Sequence, residues 1–303
     1  MPMKKFVLLI SVVALFVVSC EQSKNIDDGC VEKHRLTACT ESSRTTLGDD
    51  NSVLWSAGDQ IAVLGTKNDQ STYNVGGYLL VEGAGTTSAI FEGSLGAAYD
   101  TYSAFYPVTM FKGASLSGMI LFYMPPQGVV YTERNFVDRA NPMYAVASAD
   151  KGLAFKNLCG ILELQIKGEG SLSAITIQTN KAISGYFVVL DGNTHLYGAQ
   201  GYDQYGVIEA SISPAITLSA NTPCSLYVIL PPATYDMLSI TTTDTAGKST
   251  TVTTNSSIVV ERSRITPVTP FTHTANGDDN GGGDGGDDDS SLEDPNENPD
   301  KEW

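Results

Sequence analysis

His34, His195 and His273 stand far apart in the chain, and none belongs to an HExxH pair, which would place two zinc ligands and a general base on one helix face. A serine nucleophile on a strand-to-helix elbow reads as G-x-S-x-G, and that pattern is absent. Gly83-Ala-Gly-Thr-Thr-Ser88 begins like a phosphate-cradling loop, but no helical pattern follows it. A hairpin turn is the better reading. Glycoside hydrolysis needs two carboxylates at a set separation. Glu163 and Glu169 are the first pair to test, and both read as solvent-facing strand or turn residues. No CxxC supports zinc or dithiol chemistry. The expectation is no enzyme, no catalytic residue, no cofactor and no metal.

One thiol stands in a specific setting. Lys4 and Lys5 precede an apolar run from Phe6 to Val18, broken only by Ser11. That run is too short to cross a hydrocarbon core of roughly 30 Å as a helix. A charged start, a short apolar run and small residues describe a secretory signal peptide. Val17-Val18-Ser19-Cys20 resembles the bacterial lipobox, whose cysteine takes a diacylglycerol and becomes the new N-terminus. The chain turns polar at once, at Glu21-Gln22-Ser23-Lys24. Acyl chains contribute about 0.8 kcal/mol per buried CH₂, and a second chain makes anchoring stable. Residues 1–19 are therefore read as a lipoprotein signal peptide and Cys20 as its lipidation site. Of the other cysteines, Cys159 and Cys224 flank apolar runs and read as buried small apolar side chains. The pairing of Cys30, Cys39, Cys159 and Cys224 is left open.

The formal charge is −16, and most of it is local: from Asn276 to Trp303 there are eleven Asp and Glu against one Lys. An acidic body without a basic patch argues against a nucleic-acid partner. That last segment has one Leu and one Trp. It cannot bury enough apolar surface to offset its ordering entropy, so it is expected to be a disordered Asp/Gly-rich tail, 276–303. Its glycines break any register for a calcium cage.

Residues 20–40 read as a flexible polar tether. Beyond them come short apolar runs separated by Gly, Pro, Asn and Asp. Leu162, Leu164 and Ile166 alternate with Glu163 and Gln165, the period-2 sign of a half-buried strand. Similar runs lie at 61–64, 78–81, 89–91, 102–106, 119–124, 175–177, 186–190, 226–230, 238–240 and 258–260. Thr243-Asp-Thr-Ala-Gly-Lys248 reads as a hairpin tip. One short helix is expected between Thr132 and Ala145, broken by Pro142. Many short strands with regular turns predict an all-β protein of β-sandwiches. Small residues at 145–152 mark a boundary between a first domain at 41–149 and a second at 150–275.

Several pieces, taken in order, resemble the fimbrillin-like lipoproteins of Bacteroides-type bacteria, the family of type V pilus subunits and their accessory proteins. Arg44-Thr-Thr precedes Val53-Leu-Trp55-Ser-Ala-Gly58-Asp59-Gln-Ile61, close to a W-x-x-G-D-x-I opening. Ala104-Phe-Tyr-Pro107, Met124-Pro-Pro-Gln127, Met143-Tyr-Ala145, Phe155-Lys-Asn-Leu158, Ile183-Ser-Gly185, Leu230-Pro-Pro232 and Gly247-Lys248 follow.

The resemblance implies two tandem Greek-key, transthyretin-like β-sandwiches on a surface-exposed outer-membrane lipoprotein, held to the membrane through lipid on Cys20. It also implies proteolytic processing after an N-terminal arginine, Arg44 before Arg35, and assembly with other fimbrial subunits by β-strand addition. A host or glycan ligand is a further expected partner. Asp244-Thr245-Ala246 is similar to the O-glycosylation motif of these bacteria, which makes Thr245 a candidate acceptor. The segment after Arg264 holds no long apolar donor strand, so a tip, anchor or accessory subunit fits better than a shaft subunit. The rival reading is a lipid-anchored glycan-binding protein that serves a neighbouring transporter through exposed Tyr and Trp.

Overall fold

The structure, a computed structural model, describes residues 33–41, 54–69, 72–126, 129–131, 139–190, 192–254 and 256–274. The signal peptide, Cys20, Cys30, Arg44 and the acidic tail lie outside them. The described residues are all-β, with no helix among them.

In chain order the first strands are β1 (His34–Thr40), β2 (Gln60–Thr66), β3 (Tyr73–Glu82), β4 (Ser88–Gly93), β5 (Thr101–Tyr106), β6 (Phe111–Ala114), β7 (Ile120–Met124) and β8 (Val129–Tyr131). Next are β9 (Met143–Ser148), β10 (Leu153–Asn157), β11 (Gly160–Gly168), β12 (Ser171–Thr179), β13 (Ser184–Val189), β14 (Leu196–Gly198), β15 (Gln204–Tyr205) and β16 (Val207–Thr217). The last are β17 (Cys224–Leu230), β18 (Ala233–Tyr235), β19 (Leu238–Asp244), β20 (Ser249–Thr253), β21 (Ile258–Val260), β22 (Ile265–Pro267) and β23 (Phe271–His273). Each apolar run read from the sequence lies in or overlaps one of these strands.

Strands β1-β10-β9-β5-β2-β3-β4 close into a barrel. Its inward residues include Leu36, Ile61, Val63, Tyr78, Phe91, Ala104, Phe155 and Trp55. Trp55 meets Phe91, Tyr106 and Phe155 edge-on at 5.0, 5.4 and 5.4 Å between ring centroids, the favoured aromatic geometry. Here two distant sequence pieces meet. Gly58, at φ +83°, turns the chain so that the buried Asp59 accepts hydrogen bonds from Tyr106 Oη at 3.0 Å and Arg139 Nε at 3.2 Å. A buried carboxylate needs such partners.

The C-terminal half is a sandwich. One sheet carries β17-β11, with β22 and β23 both on the far side of β11; the facing sheet runs β20-β19-β12-β16-β8. Leu162, Leu164 and Ile166 of β11 share a core with Ile175, Ile177, Ile208, Leu226 and Ile240. A further sheet, β14-β13-β7-β6 with β15 also on β13, packs Phe122 and Phe187 against Phe105 of the barrel wall and Ile161 and Ile229 of the sandwich. Thus Ile120–Met124 pairs with Ser184–Val189, and Val129–Tyr131 with β16, across the 149/150 division read from the sequence. Strands β9 and β10, which flank that division, pair with each other in the barrel.

Two expectations change. The stretch 20–40 was expected to be a tether, but its residues 34–40 are strand β1, whose Leu36 and Ala38 point into the barrel core. The helix expected over 132–145 gives way at its end to β9: Met143–Ala145 are buried and paired with Ala104–Tyr106 of β5. A ladder partner overrides helical spacing there, and Pro142 supplies no amide for a helix. The rest of that stretch, 132–138, lies outside the described residues.

Candidate strand-exchange site

Strand β1 has the sequence HRLTACT, alternating polar and apolar with only Leu36 and Ala38 turned inward. It lies antiparallel to β4, from His34 opposite Gly93 to Cys39 opposite Ser88. On its other side it runs parallel to β10, Ala38 opposite Leu153 through Thr40 opposite Phe155. Main-chain ladders on both sides therefore hold it more than side-chain burial does. Burying Leu36 contributes about 1.5–3 kcal/mol, and Ala38 less.

Its polar face is ionic. Arg35 Nε lies 3.2 Å from Glu92 Oε2 and Nη1 lies 3.1 Å from Glu82 Oε1; Lys33 Nζ lies 2.9 Å from Glu92 Oε1. Hydrogen bonds from Lys33 and Arg35 hold the Glu92 carboxyl below the usual carboxylate range. Such exposed pairs fix register more than they stabilise. At the start of the strand, His34 Nδ1 lies 3.3 Å from Tyr78 Oη, and burial, with Tyr102 nearby, pushes that phenol up to about 12. At its other end a cleft of about 420 Å³ opens between β1, β4 and the β9–β10 turn, lined by Thr37, Cys39, Gly83, Ser88, Ile90 and Gly152. Gly152 leaves the Thr37 hydroxyl room there, since a Cβ would stand 2.7 Å from Thr37 Oγ1 and turn that side chain aside.

The end of β1 is clasped from the far half of the chain. Glu41 Oε1 accepts a hydrogen bond from Arg262 Nη1, one from Ser263 Oγ at 2.6 Å and one from the Asn157 amide at 3.1 Å. Arg262 also reaches the Asn157 carbonyl at 3.0 Å. Sequence reasoning passed over Glu41 and Arg262, because partners this distant leave no local signal.

The other candidates are scattered. Arg35 is bound into β1. Thr245 is exposed at the tip between β19 and β20, its amide bonded to the Ser171 carbonyl at 2.8 Å. Beside it the buried Asp244 accepts the amides of Lys248 and Ala246, at 2.8 and 2.9 Å, and these hold its carboxyl low. Glu163 accepts from Ser225 Oγ at 2.8 Å, while Glu169 is exposed beyond the end of β11. Six residues of extended chain separate them by roughly 20 Å, too far for a glycosidase pair. His34 sits beside Tyr78, His195 is exposed, and His273 is buried with Nδ1 2.8 Å from Thr242 Oγ1. No cluster of metal-ligating side chains occurs among the described residues. Cys159 and Cys224 lie in separate buried clusters, and burial pushes the Cys159 thiol far up.

No protein-family model and no curated protein matches the chain. Solved structures do. A candidate cell adhesion protein from Bacteroides ovatus matches with a TM-score of 0.50 at 14% identity, over 80% of this chain and 92% of that one. A candidate cell adhesion protein from Bacteroides uniformis matches with a TM-score of 0.47 at 13% identity, over 78% and 93%. A fimbrial protein from Bacteroides ovatus matches at 0.33 and 9%, over 78% of this chain and 49% of that one. The chain shares the all-β fold of the first of these.

Proposed function

We propose that this chain is a surface-exposed, fimbrillin-like lipoprotein, a pilus tip, anchor or accessory subunit acting in cell adhesion through strand-mediated assembly. Lipid on Cys20 holds it to the outer membrane. The observation that carries this reading is the seat of β1. A strand with only two buried anchors, Leu36 and Ala38, completes the barrel between β4 and β10, and it lies upstream of Arg44. Cutting after Arg44 removes the acyl anchor and β1 together. The open edges of β4 and β10 then accept a strand from another subunit, with main-chain bonds giving affinity and the Leu36 and Ala38 pockets giving register. Arg35 is the weaker processing site, since a protease needs an unpaired extended segment and Arg35 lies within the ladder.

A role as acceptor rather than shaft subunit is supported by β22 and β23, which already lie along β11 with Val268 and Phe271 buried. Shared fold with a candidate cell adhesion protein is consistent with this assignment. Thr245, exposed at its hairpin tip, is the proposed site of O-glycosylation, read out by the intact mass of the exported protein.

The assembly reading is tested by treating the purified full chain with an arginine-specific protease under native conditions. The expected result is one cut after Arg44, with larger assemblies forming when a strand-donating subunit is added. A chain that stays uncut at Arg44, or one that is cut and keeps β1 as a stable monomer, overturns it.

A further inference from the structure

The outer face of the β6-β7-β13-β15 sheet carries a feature that strand assembly does not use. Tyr123 of β7 and Tyr186 of β13 are directly opposite each other, and their ring centroids lie 4.8 Å apart. Tyr202 extends the row, 5.0 Å from Tyr186. Lys112 stands at the opposite end, its ammonium 5.9 Å from the Tyr123 ring centroid. The next residues on the same strands, Phe122 and Phe187, point the other way into the core. One face of this sheet is therefore a packed phenylalanine layer and the other a tyrosine row.

The row is held in place before any ligand arrives. Tyr186 donates its amide to the Asp203 carbonyl at 3.0 Å and accepts the Ala199 amide at 3.1 Å, so the turn bearing Tyr202 is docked on the strand. Gln204 Nε2 ties that turn to the Ala199 and Tyr202 carbonyls at 2.7 and 3.3 Å. Gly185 makes the docking possible, since a Cβ there would stand 2.4 Å from the Asp203 carbonyl oxygen. Tyr202 and Tyr205 remain 53% and 41% exposed. Rigid, half-wet tyrosines lose little entropy when they bind.

Size and charge select the occupant. A tyrosine presents about 150–250 Å² in all, so a half-covered row offers a few hundred Å², short of the roughly 800 Å² per partner of a protein interface. It suits a narrow ligand with flat apolar faces and hydroxyl edges. Lys112 has no carboxylate in ion-pair contact among the described residues, so one cation is left for one anion. At the other end the Asp203 carboxylate lies beside the Tyr205 phenol and pushes it up. A carboxylate there, on a chain of net charge −16, disfavours a densely sulfated polymer.

We infer that the Lys112–Tyr123–Tyr186–Tyr202 row binds a sparsely acidic glycan, with pyranose faces stacked on the tyrosines and a uronate carboxylate paired with Lys112. This site operates whether or not the chain assembles into a fimbrium, so uncut monomer is the right material for its test.

The probe is a hyaluronan octasaccharide, which alternates a uronate with a neutral N-acetylhexosamine, titrated calorimetrically into the full chain. Its carboxyl-reduced form and a heparin octasaccharide are run beside it. Saturable binding of hyaluronan above both is expected. Tyr202→Ala, at an exposed turn, should weaken it roughly tenfold, while Tyr202→Phe keeps the stacking. Lys112→Ala should abolish the preference over the reduced form. No saturable binding, binding unchanged in Tyr202→Ala, or preference for heparin overturns the inference.

Discussion

The Glu41 carboxylate and the Arg262 guanidinium are 221 residues apart in the chain and meet in an ion pair at the end of strand β1. The loop that carries Arg262 leads directly into β22, so one contact joins the first strand of the barrel to the last strands of the sandwich. The pair is about one-third exposed on both sides, and water weakens it. The added bonds from Ser263 and the Asn157 amide make Glu41 more than a surface charge.

Removing either partner should loosen both ends. Arg262→Ala and Glu41→Gln are each expected to cost roughly 1–2 kcal/mol in urea unfolding. A double-mutant cycle should return a coupling energy near half of that or more. A coupling near zero would mean that the two ends are held independently.

Leu36 is the principal side-chain anchor of β1. Leu36→Ala is expected to cost about 2–3 kcal/mol, the lower part of the range for such truncations, if β1 detaches without the rest of the barrel as the strand-exchange proposal requires. Hydrogen exchange locates the effect. Amides of β4 and β10 should lose protection, while those of β11 and β17 keep theirs. Uniform loss across the chain would contradict a locally detachable strand.

Glu92 gives this attachment a pH dependence. Its carboxyl titrates lower in the folded protein than in the unfolded chain, through its hydrogen bonds with Lys33 and Arg35. The stabilisation is complete above the ordinary carboxylate value of about 4.3 and is lost as pH falls through the depressed folded value. Protection of β4 amides should therefore drop between neutral pH and pH 3, more steeply than in Glu92→Gln. Parallel pH profiles for the two proteins would remove Glu92 from the account.

Local stereochemistry made much of the fold legible. Leu162, Leu164 and Ile166 against Glu163 and Gln165 announce a half-buried strand, and the first three are fully buried. The same alternation at Ile208, Ala210 and Ile212 against Glu209 and Ser211 marks β16 and was there to be read. Trp55 and Gly58-Asp59 carry local signals of the same kind, because a large aromatic favours a core and a Gly-Asp pair favours a turn.

Partners were not visible. HRLTACT has too few apolar residues to stand out, and it is a strand because β4 and β10 offer it two ladders. Met143–Ala145 is a strand because β5 lies beside it. The tyrosines of β7 and β13 could be placed on strands by residue type, but a shift of one residue would have turned them inward in place of Phe122 and Phe187. Side-chain period and turn chemistry are properties of neighbours in sequence, so the sequence alone determined where strands and turns fall. Which edges meet, which face stays wet and which distant charges pair are settled by hydrogen-bond ladders and burial between segments far apart, and those the tertiary structure decided.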